Sequence, residues 1–511
     1  MFDHLYQSPL FTDFYQLTMA QVYYRTGFHN AKVKFDYFFR NYPDYGGHKA
    51  GYCVFAGLES FCSWLPNLKF LENTISCLEN TKGVSGEHLF SHDFLNWLKN
   101  QDLCDSLNIE AIPEGRIVHN YEPLMVVEAN LVTAQLIESS LLNHINFQTL
   151  IATKASRIRE AGERRPLIEF GLRRAHGSAA VDATRAALIG GADFSSNAAT
   201  SYHLKIPPKG THAHSMVQLF IALGEGEIGA FKAYAEVYPD DCLLLVDTVN
   251  TLESGVPNAI KVFKYLRNHG HNPLGIRLDS GDLAYLAIRA AAMLDKEGFE
   301  NTVIVLSNNL DELVLMQIVK QIRDEAWDYG VDPQKLIGRL IYGVGTRLIT
   351  SEGDPSLDGV YKLAAVHKEK TWIPTLKISE TPDKTILPGS KSIWRIYDHS
   401  GKSTADLICL EGENPGSENE LIIRHPLRSD LSRTLSKTMI SKIEFLHNCI
   451  VKNGVVVYPF PTLNEIRKIR DNDLDCLDMG VRRIINPHIY HVSISEKLYK
   501  LKNDLVGDRR M

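Results

Sequence analysis

Residues 275–293 read GIRLDSGDLAYLAIRAAAM, which is a strand, a polar turn and a helix in succession. Gly275 to Leu278 is a short apolar run, and from Asp282 to Met293 apolar residues recur at i, i+3 and i+4, the spacing of one helix face. Asp282 stands where a helix needs a side-chain acceptor for its first free N–H groups. The pattern is a βα unit, and it recurs on both sides. Leu167 to Phe170, Ala192 to Ser195, Leu243 to Val246, Val303 to Leu306, Leu340 to Tyr342 and Val360 to Val366 are further strand-like runs, several of them separated by helix-length stretches. So many units in series predict a parallel sheet, and favour a barrel over an open sheet.

The segments just after the strands carry the chemistry. They are EFGLRR, FSSN, VDT, RLDSGD, LSNN and YGVGT, all small, polar or charged. In a (β/α) barrel, segments at the C-terminal ends of the strands meet on one face, where such barrels build active sites. The flanks differ. An apolar helix, Phe14 to Tyr24, and strand-like runs at Lys32 to Phe39 and Leu124 to Ala129 precede the barrel, and Ser392 to Tyr397 and Val455 to Tyr458 come after it. Chain entering and leaving one side of a barrel often shares an outer domain, so the flanks predict a discontinuous α/β domain. The end of the chain, Lys497 to Arg510, reads as a solvated basic tail.

Composition sets outer bounds. The chain has 511 residues, 44% hydrophobic and 23% charged, with 55 Lys plus Arg against 61 Asp plus Glu for a net charge of −6. That length predicts more than one hydrophobic core. Without a basic cluster, neither nucleic acid nor an anionic membrane is an expected partner. The eight cysteines contain no CxxC pair, so a disulfide framework or zinc cluster is not expected. No Lys or Arg precedes Arg25 and no apolar run reaches the roughly 18 residues of a membrane span, so a cytoplasmic protein without a leader is expected.

Gly224, Gly226 and Gly229 spell GxGxxG in LGEGEIGAF. A dinucleotide fingerprint must come after a strand; this one succeeds a helix-like run and puts Glu225 and Glu227 where phosphate would lie, so it reads as a helix-ending turn. GIRLDSGD is different in kind. In a strand Arg277 and Asp279 share a face, and the pair suits a ligand both phosphorylated and hydroxylated: Arg forks a diphosphate, and Asp accepts from ribose hydroxyls or holds a divalent metal. A salt bridge buried in the barrel is the competing reading. The loops at Ser307-Asn308-Asn309 and Tyr342 to Thr346 are donor-rich and suited to closing backbone N–H groups on phosphate. In THAHSM, His212 and His214 could ligate a metal with His203, accept a phosphoryl group, or be ordinary surface or core histidines, and spacing does not choose. No pair of carboxylates stands at convincing positions for a hydrolase.

Taken in order, FTDFYQLTMA, EFGLRRAHG, THAHSM, GIRLDSGD, LSNN and GVGT with GVYKLAAV after it resemble the nicotinate phosphoribosyltransferase family over roughly residues 8–370, with the remainder matching more loosely. These enzymes join nicotinate to 5-phosphoribosyl-1-diphosphate with Mg²⁺ or Mn²⁺, giving nicotinate mononucleotide and diphosphate, and couple this to ATP hydrolysis through a phosphohistidine. The resemblance implies the type II phosphoribosyltransferase fold, an irregular (β/α) barrel with a discontinuous α/β sandwich domain, in a homodimer with shared active sites. Residues 1–135 and part of 371–511 would build the sandwich and 136–370 the barrel. Residue by residue, it makes Tyr15 and Phe170 the aromatic pair around the pyridine ring, with Tyr15 supplied by the partner subunit, and Arg173 a diphosphate ligand. It makes His214 the phosphorylated histidine and Thr211 a substrate contact. Arg277 and Asp279 become ligands for nicotinate or diphosphate and for ribose, with Asp279 a candidate metal ligand. Asn308, Gly343, Gly345 and Thr346 become the phosphate-binding loops.

Many members read GTSN where this chain has Phe194, Ser195, Ser196 and Asn197. The alignment makes Ser196 and Asn197 substrate contacts, and puts Ser196 where the related nicotinamide-using enzyme carries an aspartate. A serine can donate to the carboxylate of nicotinate, which an aspartate would repel, so nicotinate is the expected substrate. A nicotinamide phosphoribosyltransferase and a non-catalytic nucleotide-binding descendant are the alternatives. Retention of His214, Arg277 and Asp279 argues against the second.

Overall fold

Six short strands alternate with helices in the middle of the chain: β1 (Leu167–Glu169), β2 (Phe194–Ser195), β3 (Leu243–Leu245), β4 (Gly275–Leu278), β5 (Val303–Ser307) and β6 (Leu340–Val344). The computed structural model describes residues 3–350, 352–377, 386–428 and 430–508. The chain divides into two units, one of residues 154–352, which holds these strands, and one of residues 1–153 with 353–511. Every ladder among the six strands is parallel, in the order β2-β1-β6-β5-β4-β3. Among the described residues no ladder joins β2 to β3, so the barrel is irregular. β1 and β3 are buried along their whole length, as a parallel sheet covered by helices requires. Because all six strands run the same way, the segments after them open on one side.

Helix Leu283–Lys296 shows how the sequence specifies the layer outside the sheet. Asp282 accepts from the Tyr285 N–H as N-cap, and Leu283, Ala287, Ala291 and Leu294 are buried at helical spacing. Each buried leucine contributes about 2 kcal/mol by removal from water. The GxGxxG segment is a turn: Gly224 and Gly226 both have positive φ, between helix His214–Ala222 and helix Gly226–Val237.

One expected barrel strand lies elsewhere. The run Val360 to Val366 is part of strand Gly359–Lys368, which belongs to the other unit and pairs antiparallel with Lys32–Phe39, Val33 opposite Val366 and Phe39 opposite Gly359. It continues not into a helix but into the hairpin strand Thr371–Pro374, through Glu369 and Lys370, both at positive φ. Two consecutive left-handed residues make the tight turn that matches strand twist. The unit boundary therefore falls at 352 rather than 370, and the earlier one at 153 rather than 135, inside the 24-residue helix Glu138–Ala161.

The unit of both flanks is built on two larger sheets. A seven-stranded sheet runs in the order Thr371–Pro374, Gly359–Lys368, Lys32–Phe39, Met125–Asn130, Asn108–Ala111, Asn448–Lys452 and Val455–Val456. A six-stranded sheet contains only residues beyond 390: Ser432–Ser436, Glu420–Arg424, Val492–Ser495, Ser403–Leu410, Lys391–Tyr397 and Lys442–Phe445. Arg395 in this sheet is buried and forks Asp406 at 2.9 and 2.7 Å, and its third arm reaches Asp473 at 3.1 Å. Asp473 in turn accepts from Arg116 at 2.7 Å, so one charge network ties residues from both ends of the chain. Within the expected solvated tail, residues 509 and 510 lie outside the described residues, and residues 497–508 instead belong to helix Glu496–Asp508, with Leu498 fully buried and the Lys502 ammonium donating to the Pro426 carbonyl. Its basic residues alternate with apolar ones at helical spacing, which gives it a face to bury. Among the described residues no helix is long and apolar enough to cross a membrane.

Candidate functional site

Arg277 is the centre of the cluster at the C-terminal ends of the strands. Its side chain is mostly buried, and three nitrogens find separate partners: Nε donates to Ser307 Oγ at 2.9 Å, Nη2 to Asp279 Oδ1 at 2.8 Å, and Nη1 to Thr211 Oγ1 at 3.5 Å. Its guanidinium carbon lies 5.2 Å from the centre of the Phe170 ring, within cation–π range. Ser307 also donates to Asp279 Oδ1, so β4 and β5 together hold the pair in one rotamer each. The salt bridge read as the competing explanation is present, yet it leaves Asp279 Oδ2 facing outward, 3.9 Å from His214 Nε2.

His214 opens helix His214–Ala222, and its Nδ1 meets Thr248 Oγ1 at 3.0 Å. Its Nε2 faces two carboxylates, Asp279 at 3.9 Å and Asp247 at 3.8 Å. The contact with Thr248 engages Nδ1, so Nε2 is the ring nitrogen left toward both acids. Asp247 escaped the sequence reading, although VDT was among the strand-end segments. It stands just after β3 with its side chain only 1% exposed, and Oδ2 accepts from the Asp279 N–H and the Ser280 hydroxyl. Among the described residues its Oδ1 has no hydrogen-bond partner. A buried carboxylate oxygen left unpaired is costly unless a cation or donor arrives. Asp247 and Asp279 approach the same histidine from different strands, and no spacing within the sequence relates them.

The two histidines of THAHSM separate cleanly. His212 is buried, its Nε2 accepts from the Leu245 N–H at 3.0 Å, and burial, reinforced by the nearby Arg277 and His214 charges, pushes its pKa down to about 4. It is a neutral strut, and His214 is the chemically available ring. No group of three or more His, Cys, Asp or Glu side chains arranged to hold a metal occurs among the described residues.

The loops around this cluster are organised by Glu169, a second buried carboxylate that the sequence reading passed over. It accepts from the Gly171 N–H, from Ser195 Oγ at 2.6 Å and from Thr184 Oγ1 at 3.1 Å, while its carbonyl accepts from the Ser196 N–H at 2.9 Å. Ser195 therefore locks FSSN to EFGLRR. Asn197 is buried and caps helix Ala198–His203, donating also to Thr184 Oγ1 at 3.2 Å, so its side chain is committed to the loop itself. Ser196 stays half-buried on the strand-end side. Asp193 accepts instead from the Leu167 N–H and Arg159, at the start of β1 and so at the opposite end of the strand.

Gly343 lies within β6, and a Cβ there would come 2.4 Å from the Phe170 ring; at Gly345 it would come 3.1 Å from the Phe170 carbonyl oxygen. These glycines make room for Phe170, whatever else their N–H groups do. Thr346 opens the single turn Thr346–Ile349. Asn308 and Asn309 both have positive φ, which turns the chain sharply after β5 and leaves them exposed. Arg173 is exposed in the turn Leu172–Arg174, without a hydrogen bond or ion pair among the described residues. Tyr15 belongs to the other unit, where it is 49% exposed on helix Phe14–Arg25.

A parallel βα unit whose strand ends present a held arginine, two carboxylates and a histidine defines a protein that handles a charged, hydroxylated small molecule. Residues 10–146 match the model of the nicotinate phosphoribosyltransferase N-terminal domain, and residues 390–502 that of the nicotinate phosphoribosyltransferase C-terminal domain. A nicotinate phosphoribosyltransferase of Bacillus subtilis is 40% identical over 496 residues, covering 96% of this chain and 94% of its own. The Homo sapiens enzyme of that name is 31% identical over 554 residues, covering 97% and 96%. The crystal structure of human nicotinic acid phosphoribosyltransferase superposes with a TM-score of 0.78 over 97% of this chain and 99% of that one, at 28% identity. The chain belongs to the nicotinate phosphoribosyltransferase family, and its fold is that of the type II phosphoribosyltransferases.

Proposed function

We propose that this protein transfers the phosphoribosyl group of 5-phosphoribosyl-1-diphosphate to nicotinate, forming nicotinate mononucleotide and diphosphate for NAD salvage. The observation that carries the reading is the Arg277–Asp279–Ser307 cluster with His214 facing Asp247 and Asp279. In the reaction the pyridine nitrogen forms a bond to ribose C1 as the bond from C1 to the diphosphate oxygen breaks, and the electron pair leaves on diphosphate. Positive charge grows on the sugar and negative charge on the leaving group, so positioning and electrostatics suffice and no nucleophile need attack from the protein. Arg277, already aimed by three side chains and a cation–π contact, stabilises the developing anion; one such contact is typically worth about 3 kcal/mol. Asp279 accepts from ribose hydroxyls. Phe170 offers its ring to the pyridine, and Tyr15 of a second subunit completes the sandwich in a homodimer.

The divalent ion suits this donor set. The unpartnered Asp247 Oδ1 and outward Asp279 Oδ2 provide the one or two carboxylates with which Mg²⁺ or Mn²⁺ is commonly held beside substrate phosphates. When bound it would neutralise charge on the diphosphate. His214 accepts the γ-phosphoryl of ATP: in the tautomer that donates Nδ1–H to Thr248, the Nε2 lone pair forms the P–N bond as the bond to ADP breaks, and water later cleaves the P–N bond to release phosphate. Ser196 at the strand-end side, with Asp193 engaged by Arg159 at the other, favours nicotinate over nicotinamide.

Incubation with nicotinate, phosphoribosyl diphosphate and Mg²⁺, with and without ATP, and then chromatography of the mononucleotide, tests the reading. Product formation is expected, increased by ATP. Binding without product would leave a nucleotide-binding descendant, and equal use of nicotinamide would overturn the substrate assignment.

A further inference from the structure

A cavity of about 710 Å³ opens in the unit formed by the two ends of the chain, a volume within the usual range for small-molecule sites. Three arginines and three histidines line it: Arg428, Arg433, Arg483, His425, His488 and His491. No aspartate or glutamate lines it among the described residues. Asp430, the neighbouring carboxylate, is exposed and pairs with Arg428 at 3.4 Å. Arg433 and Arg483 have no ion-pair partner among the described residues and are exposed. In a chain with net negative charge, the two arginines without an ion-pair partner leave a positive field at this concavity.

Two of the histidines, His425 and His491, are held by burial before charge. Burial first, then Arg428, holds the His425 pKa below its ordinary value against the opposing pull of Asp430, with His491 and Lys502 adding less. Burial, then Arg433 and His488, does the same at His491. His425 Nδ1 accepts from the Leu427 and Arg428 N–H groups at 3.1 Å each, so a neutral ring keeps its proton on Nε2 as a donor. The cavity is thus supplied with donors and charge of one sign, and Tyr121, Pro487 and Ile489 add apolar wall.

We propose that this cavity binds a small polyphosphate anion, either an inorganic di- or triphosphate or the phosphate chain of a nucleotide, at a site separate in sequence from the Arg277 cluster. Arginine forks match phosphate oxygens two at a time, and three arginines around one cavity suit a ligand with more than one phosphoryl group better than a single carboxylate. Anion binding here is independent of the transferase reading, because none of the lining residues belongs to the unit of Arg277 and His214.

The test uses the full chain carrying Arg277→Ala, so that the barrel cluster contributes little, with calorimetric titration of inorganic tripolyphosphate and of ATP. Adding Arg433→Ser and Arg483→Ser is expected to weaken tripolyphosphate binding at least about tenfold, while Arg433→Lys with Arg483→Lys restores most of it. Both arginines are exposed, so the same thermal unfolding midpoint is expected in all three proteins. No binding to the Arg277→Ala protein, or unchanged affinity on adding the serines, would overturn the proposal. Tighter binding of ATP than of tripolyphosphate through the same arginines assigns the site to nucleotides, and equal affinity assigns it to the phosphates alone.

Discussion

Arg277 and Asp279 sit two residues apart at the end of β4, and their meaning depends on what else reaches them. Ser307 and Thr211 fix the guanidinium, and Asp247 holds the Asp279 backbone, so the pair is preorganised rather than merely adjacent. Arg277→Ala and Asp279→Ala are each expected to lower kcat/KM by at least about tenfold, and steady-state kinetics on folded protein checks it. Loss of folding instead would make the pair a structural salt bridge. At His214 the expectation is different, because a phosphoryl carrier drives the step without holding the sugar. His214→Ala should abolish an acid-labile, alkali-stable label from γ-labelled ATP and uncouple ATP while leaving transfer measurable. A label that persists would exclude His214, and His212 cannot replace it easily, since its Nε2 already accepts from Leu245.

At the scale of elements, the strand ends matter through the room they leave each other. β6 carries Gly343 under the Phe170 ring, where a Cβ would stand 2.4 Å from a ring carbon. Gly343→Ala must therefore push Phe170 off its position, and a rise in KM for nicotinate of at least about fivefold is expected, with KM for phosphoribosyl diphosphate affected less. A rise in both alike would mean that the glycine serves the phosphates instead. The loop after β2 sets up the second prediction. Its Ser196 N–H is pinned by the Glu169 carbonyl, so the side chain is presented from a fixed backbone. In Ser196→Asp the preference for nicotinate over nicotinamide should fall by at least about tenfold, since like charges now meet across the site. An unchanged ratio in paired assays would show that another residue sets the choice.

For the whole molecule, the network around Arg395 is what joins residues as distant as Arg116 and Asp473 into one unit. Asp406 is fully buried; burial pushes its carboxyl up, but the Arg395 guanidinium overrides this and pulls it down to about 2. Burial, then the charge on Asp406, holds the Glu122 carboxyl well above its usual range. Asp406→Ala leaves Arg395 buried and without its forked partner, and urea unfolding should show a loss of about 3–5 kcal/mol. A depressed carboxylate pKa contributes stability above the unfolded value of about 3.9, and that contribution is lost as pH falls toward the folded one. The difference between wild type and Asp406→Ala should accordingly be full near neutrality and shrink from about pH 4 downward. A difference independent of pH would place the cost in packing rather than charge.

The sequence by itself determined the elements whose signals are local. Apolar spacing and the Asp282 cap specify helix Leu283–Lys296, the short buried runs specify β1 to β6, and the order of motifs specifies the family, because each depends on residues within a few positions of one another. Local signals could not tell that Gly359–Lys368 pairs with Lys32–Phe39, since a half-buried strand reads alike whichever sheet receives it. Nor could they make a basic tail into a docked helix before the surface that buries Leu498 existed. In the site, Arg277, Asp279 and His214 were legible as chemistry, whereas Asp247 and Glu169 were not. Their carboxylates act only through partners from other strands and loops, Asp279, Ser280 and His214 for the one and Ser195 and Thr184 for the other. Tertiary structure decided those pairings because a parallel sheet gathers strand ends that stand about 30 residues apart in the chain, a distance over which sequence spacing carries no geometric information.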